Sequence, residues 1–118
     1  MPCLVDADTG QVLFQRLILA DRFWTRAKGL LGKRELAEDQ AIWIRPCTSI
    51  HTFFMRMRIN VAFVDSQGTV IAIHQNVKPW RILLGARGSV GVIEFSSIVE
   101  VLATGMRVQL GDSAICGR

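Results

Sequence analysis

His51 stands in the stretch TSIHTFFMRMRI (Thr48 to Ile59), an imidazole followed closely by Arg56 and Arg58 among apolar neighbours. Guanidinium planes pair two-pronged with carboxylates or phosphates, and an imidazole adds a further donor near neutral pH. The same chemistry recurs at Arg26 upstream and at Trp80-Arg81 downstream, with Phe54 and Trp80 as aromatic surfaces. Arg26, His51, Phe54, Arg56, Arg58, Trp80 and Arg81 are therefore the expected ligand-binding set, for a small anionic or polar ligand. The competing reading leaves Arg56 and Arg58 solvated on the outer side of the segment.

Two other chemistries are spelled by the same region. Cys47 with His51 has the residue types of a thiolate nucleophile and its base, with His74 as another partner. Four residues of extended chain span about 13 Å, so Cys47 meets His51 only if the backbone turns between them. Cys47, His51, Met55 and Met57 offer soft ligands suited to copper(I). Positions 47 and 57 would stand roughly 33 Å apart on one straight strand, so no metal and no other cofactor is expected. Glu94, flanked by Val92, Ile93 and Phe95, is expected to be buried and therefore ion-paired, with Arg26 or Arg56 as partner.

These side chains need elements to position them. If Ser49 to Ile59 is extended, His51, Phe53, Met55, Met57 and Ile59 share one face, and Ile50, Thr52, Phe54, Arg56 and Arg58 the other. Asn60 to Asp65, then Ser66-Gln67-Gly68, then Thr69 to Val77 reads as a hairpin, with positive φ available at the glycine. Cys3 to Val5, Val12 to Leu19, Ala41 to Ile44, Ser89 to Phe95, and Met106 to Leu110 are further strands, the last leading into a Gly111-Asp112 turn. A loop runs from Pro79 through Gly85 and Gly88. One helix is expected over Arg22 to Leu31, capped by Asp21 and ended by Gly32. A second is expected from Ser96 or Ser97 to Thr104, ended by Gly105. The expected class is α+β, a small, mainly antiparallel, barrel-like sheet with two short helices.

The 118 residues suit one domain, half of them hydrophobic. The net charge of +4 comes largely from arginine, but no nucleic-acid motif accompanies it, so nucleic acid is not an expected partner. No apolar run reaches membrane-spanning length, and MPCLVDADTG lacks the features of a signal peptide. A soluble, cytoplasmic protein without a membrane partner is expected. Three cysteines without a CxxC speak against a disulfide scaffold there. Nothing in the sequence sets an oligomeric state.

RAKGLLGK at Arg26 to Lys33, the block SIHTFFMRMRINVAFVDSQGTVI, the step Lys78-Pro79-Trp80-Arg81, VIEF around Glu94, Thr104-Gly105 and Gly111-Asp112 follow one another along nearly the whole chain. In this order they resemble the domain of unknown function 192 family. The resemblance implies a small, mostly β single domain, and the family carries no established biochemical activity. Glu94, Gly29, Gly105 and Asp112 are read as structural. Asn60 stands where the family usually carries aspartate, and Arg58 where a proline or small polar residue is common. The expected function is a non-enzymatic binding or accessory module for a small anionic or polar ligand or a partner segment. The alternatives are a small hydrolase using Cys47 or His51, and an interaction protein whose ribbon edge accepts a partner strand.

Overall fold

A computed structural model describes residues 2–20, 36–51 and 57–111, with His51 described by its backbone alone. Runs of β-branched and aromatic residues form ten strands among them: β1 (Cys3–Asp6), β2 (Val12–Phe14), β3 (Arg16–Ala20), β4 (Gln40–Ile44), β5 (Ser49–His51), β6 (Ile59–Val64), β7 (Val70–Val77), β8 (Ile82–Leu84), β9 (Gly91–Ser96) and β10 (Val108–Gly111). They make three sheets, ordered β10-β1-β2, β3-β4-β9-β6-β7 and β5-β8. Among the described strands only β3 and β4 pair in parallel. A parallel pair needs a crossover connection between its two strands.

The five-stranded sheet is buried on both faces, which is why INVAFV in β6 is apolar at nearly every position and inaccessible throughout. On one face Leu17, Ala41, Trp43, Ala62, Val64, Ile93 and Phe95 pack against Leu4, Phe14 and Val108 of the three-stranded sheet. The Phe14 and Phe95 rings, 5.4 Å apart and tilted by 55°, join the two layers. On the opposite face Ile42, Ile44, Ile59, Val61, Phe63 and Val92 pack with Ile50 of β5 and Leu83 of β8.

The expected α+β class is corrected to all-β among the described residues, none of which is helical. The helix expected over 22–31 lies outside them. The segment after β9, expected to be the second helix, instead turns twice: Val99 N–H donates to Ser96 and Met106 N–H to Ala103. It is short and carries β-branched Ile98, Val99 and Val101, a poor combination for an isolated helix. Leu102 is anchored in the core, and Gly105, at φ 97°, shapes the second turn rather than ending a helix. The barrel is corrected as well. Closure requires the two edges of a sheet to pair, whereas β3 and β7 remain separate edges and a second sheet covers one face.

The hairpin of β6 and β7 is borne out, with Gly68 at φ 82°. The long ribbon is not one strand, because β5 pairs with β8 while β6 lies in the five-stranded sheet. The loop after Pro79 holds β8. Cys3 is fully buried and disulfide-bonded, against the expectation that no disulfide scaffold forms, whereas Cys47 is not in a disulfide. Among the described residues no helix is long and apolar enough to cross a membrane.

Candidate ligand-binding site

Arg26, Gly29, Phe54, Arg56 and Asp112 lie outside the described residues. Antiparallel pairing sets His51 opposite Ile82, so the backbone of Arg81 lies one residue from the partner of His51. Trp80 is 57% exposed with φ 64°, and its carbonyl accepts the Arg81 Nη1 at 3.5 Å. Arg58 is exposed just before β6. Cys47 donates its thiol to the Ser49 carbonyl oxygen at 2.9 Å. Among the described residues no three His, Cys, Asp or Glu side chains converge on one point.

Among the described residues two buried side-chain polar atoms lack a hydrogen-bond partner, Trp43 Nε1 and Glu94 Oε2. Alternation along β4 and β9 puts them on opposite faces of the central sheet. Glu94 lies between Ile42 and Val61 in the cross-strand row and is 3% exposed, as its apolar neighbours imply. It meets no cation among the described residues. Desolvation pushes its carboxyl up to about 8, so at neutral pH it is mostly the uncharged acid.

Trp43 is the more informative of the two. It is 5% exposed and forms part of a recess of about 310 Å³ at one end of the two packed sheets. Asp65, Ser66, Gln67 and Gly68 of the β6-β7 turn close one side, Gly91 lies at the start of β9, and Val108 to Leu110 of β10 form the opposite side. Arg45 follows Trp43 by two residues and shares its face. Its guanidinium carbon sits 4.6 Å from the Trp43 ring centroid, a stacked cation. Among the described residues Arg45 has no acidic partner. Nε1 lies under Gly91, where an added Cβ would come within 3.0 Å of it. A β-carbon at Gly68 would collide with the Val108 carbonyl oxygen, so the two glycines let the turn pack on β10 and the β9 backbone pack on Trp43. Asp65 is committed to the turn, its Oδ1 accepting the Gln67 and Thr69 N–H groups, each at 2.9 Å.

The recess therefore combines the Arg45 guanidinium, the Asp65 carboxylate held by the turn and apolar walls from Val64, Val90 and Val108, with the unpartnered Trp43 N–H buried behind Gly91. Such a site suits an oxyanion carried on an apolar body. Neither Trp43 nor Arg45 was in the expected ligand-binding set, because a strand that reads as buried attracts attention to packing. A tryptophan inside such a strand, whose indole N–H needs an acceptor, with an arginine two residues on, was the usable signal.

The model of the DUF192 family, described as an uncharacterized ACR, matches residues 5–111. A UPF0127 protein of Thermococcus sibiricus is 31% identical over 96 residues, covering 77% of this chain and 61% of that relative. A UPF0127 protein of Pyrococcus horikoshii is 38% identical over 71 residues, 56% of this chain and 59% of its own. Each match spans less than two thirds of the relative's length. A solved structure of a protein of unknown function from Novosphingobium aromaticivorans superposes with a TM-score of 0.76 at 20% identity, covering 92% of this chain and 82% of that one. Another, from Sinorhizobium meliloti and named provisionally as a transcription regulator, gives 0.71 at 21% identity, covering 92% and 91%. At these identities the two structures establish the fold alone.

Proposed function

The chain belongs to the DUF192 family, and from that footing we propose that it is a binding module that holds a small carboxylate-bearing ligand in the recess beside Trp43 and Arg45. The observation that carries this reading is the indole N–H of Trp43, buried without an acceptor next to a cation that has no acid among the described residues. Leaving such a donor unsatisfied costs about 1–3 kcal/mol. Gly91 covers this N–H, so a ligand oxygen recovers that cost where it displaces the Gly91 contact, and the Arg45 guanidinium supplies the charge-assisted contact. The ligand class is the one read from the sequence; its seat is different.

Hexanoate, which joins a carboxylate to an apolar chain, is a suitable probe. Titrated at constant ionic strength, it should raise the melting temperature saturably, while hexanamide should do so far less. Arg45→Ala should remove the difference between the two. An equal response of Arg45→Ala and the parent protein to hexanoate would refute the site.

A further inference from the structure

We propose that the natural occupant of the recess is the C-terminal residue of an extended polypeptide, its terminal carboxylate on Arg45 and its backbone alongside β10. This rests on the reading of the recess as a carboxylate site, and the backbone of β10 carries it further. In an antiparallel pair, residues alternate between those bonded to the neighbouring strand and those whose N–H and C=O point away from it. Ala7 N–H donates to the Arg107 carbonyl oxygen at 2.8 Å, so 107, 109 and 111 face β1. Val108 and Leu110 consequently face outward, and Val108 N–H does donate outward, to the Gly68 carbonyl oxygen at 2.9 Å.

Leu110 is the next outward residue on that edge. Among the described residues its N–H and C=O have no partner, and it forms part of the recess. An extended peptide laid antiparallel to β10 would exchange both bonds with Leu110, which a fatty acid or other simple carboxylate cannot do. The occupant's end, rather than its middle, is fixed by two features. The recess, at about 310 Å³, is at the small limit of ligand pockets, a volume that suits a single terminal residue. Asp65 has its Oδ1 taken up by two turn N–H groups, while Arg45 is stacked on Trp43 with no acidic partner among the described residues, and its guanidinium is the group that recognises a carboxylate terminus.

The test compares acetyl-alanyl-valyl-leucine, its C-terminal amide, its fully N-methylated free acid, free leucine and hexanoate by calorimetric titration against the whole chain. The free-acid peptide should bind at least tenfold more tightly than hexanoate. The amide and the N-methylated peptide should each lose tenfold or more, the first through the carboxylate and the second through the strand bonds. Arg45→Ala should bring the free acid down to the amide. If hexanoate binds and the peptide binds no better, or if amide, N-methylated peptide or leucine matches the free acid, the peptide assignment fails while the carboxylate site stands. If neither hexanoate nor peptide binds, both fail.

Discussion

The side-chain oxygen of Asn60 accepts the backbone N–H of Asn76 at 2.8 Å, and Asn76 holds φ at 56°, in the left-handed region. The other end of the same amide donates to the carbonyl oxygens of Ser96 and Val99, at 3.3 and 3.0 Å. One buried side chain thus ties β6, the far end of β7 and the turn after β9. An ionised carboxylate has no N–H to give those two carbonyls. Asn60→Asp should therefore destabilise the fold by about 1–3 kcal/mol at pH 7.5, and by less at pH 4, where the introduced carboxyl regains one donor. Urea unfolding at the two pH values checks this; equal losses at both would contradict it.

Glu94 makes a prediction with a definite sign. Its carboxyl is raised from 4.5 to about 8 by burial, so the unfolded chain releases this proton near pH 4.5 while the folded chain keeps it to about pH 8. The stabilising contribution is complete below pH 4.5, declines through the window and is gone above about pH 8. Glu94→Gln should flatten that decline, so that its stability relative to the parent rises between pH 5 and pH 8.5. Glu94→Leu, which also removes the unpartnered oxygen, should be more stable than the parent at pH 8.5. Parallel pH profiles for parent and Glu94→Gln would show that the carboxyl titrates normally.

Gly68 and Gly88 separate backbone strain from collision. Both have positive φ, but a β-carbon at Gly88 meets nothing within 4 Å, whereas at Gly68 it strikes the Val108 carbonyl oxygen. Gly88→Ala should cost on the order of 1 kcal/mol from φ alone. Gly68→Ala should cost at least twice as much, since the strand edge on the turn must also move. Chemical denaturation of the two variants gives the comparison; a smaller loss at Gly68 would contradict the packing of the turn on β10.

What the sequence revealed was local. Hydrophobic alternation and a glycine in the turn located the β6-β7 hairpin, an apolar run located β4, and the neighbours of Glu94 implied its burial. Sheet membership was not legible, because β5 and β8 are separated by 30 residues and pair by long-range geometry that no local pattern encodes. The two-sided burial of the central sheet likewise follows from the second layer. The helix expected after β9 failed because tertiary anchoring of Leu102 and two tight turns outweighed weak local periodicity. The recess escaped notice for a related reason. Its parts come from β4, the β6-β7 turn, the start of β9 and β10, and Trp43 and Arg45 look like core and flank until those four are assembled.

The indole N–H of Trp43 gives the most direct test, since it is the donor on which the site depends. The chain has three tryptophans, Trp24, Trp43 and Trp80, and hence three indole resonances in a nitrogen–proton correlation spectrum, with Trp43 assigned by Trp43→Phe. Titration with hexanoate should move the Trp43 resonance downfield to saturation as its N–H gains an acceptor. The shift should be absent in Arg45→Ala. A Trp43 resonance unmoved at hexanoate concentrations that raise the melting temperature would place the carboxylate elsewhere and contradict the site.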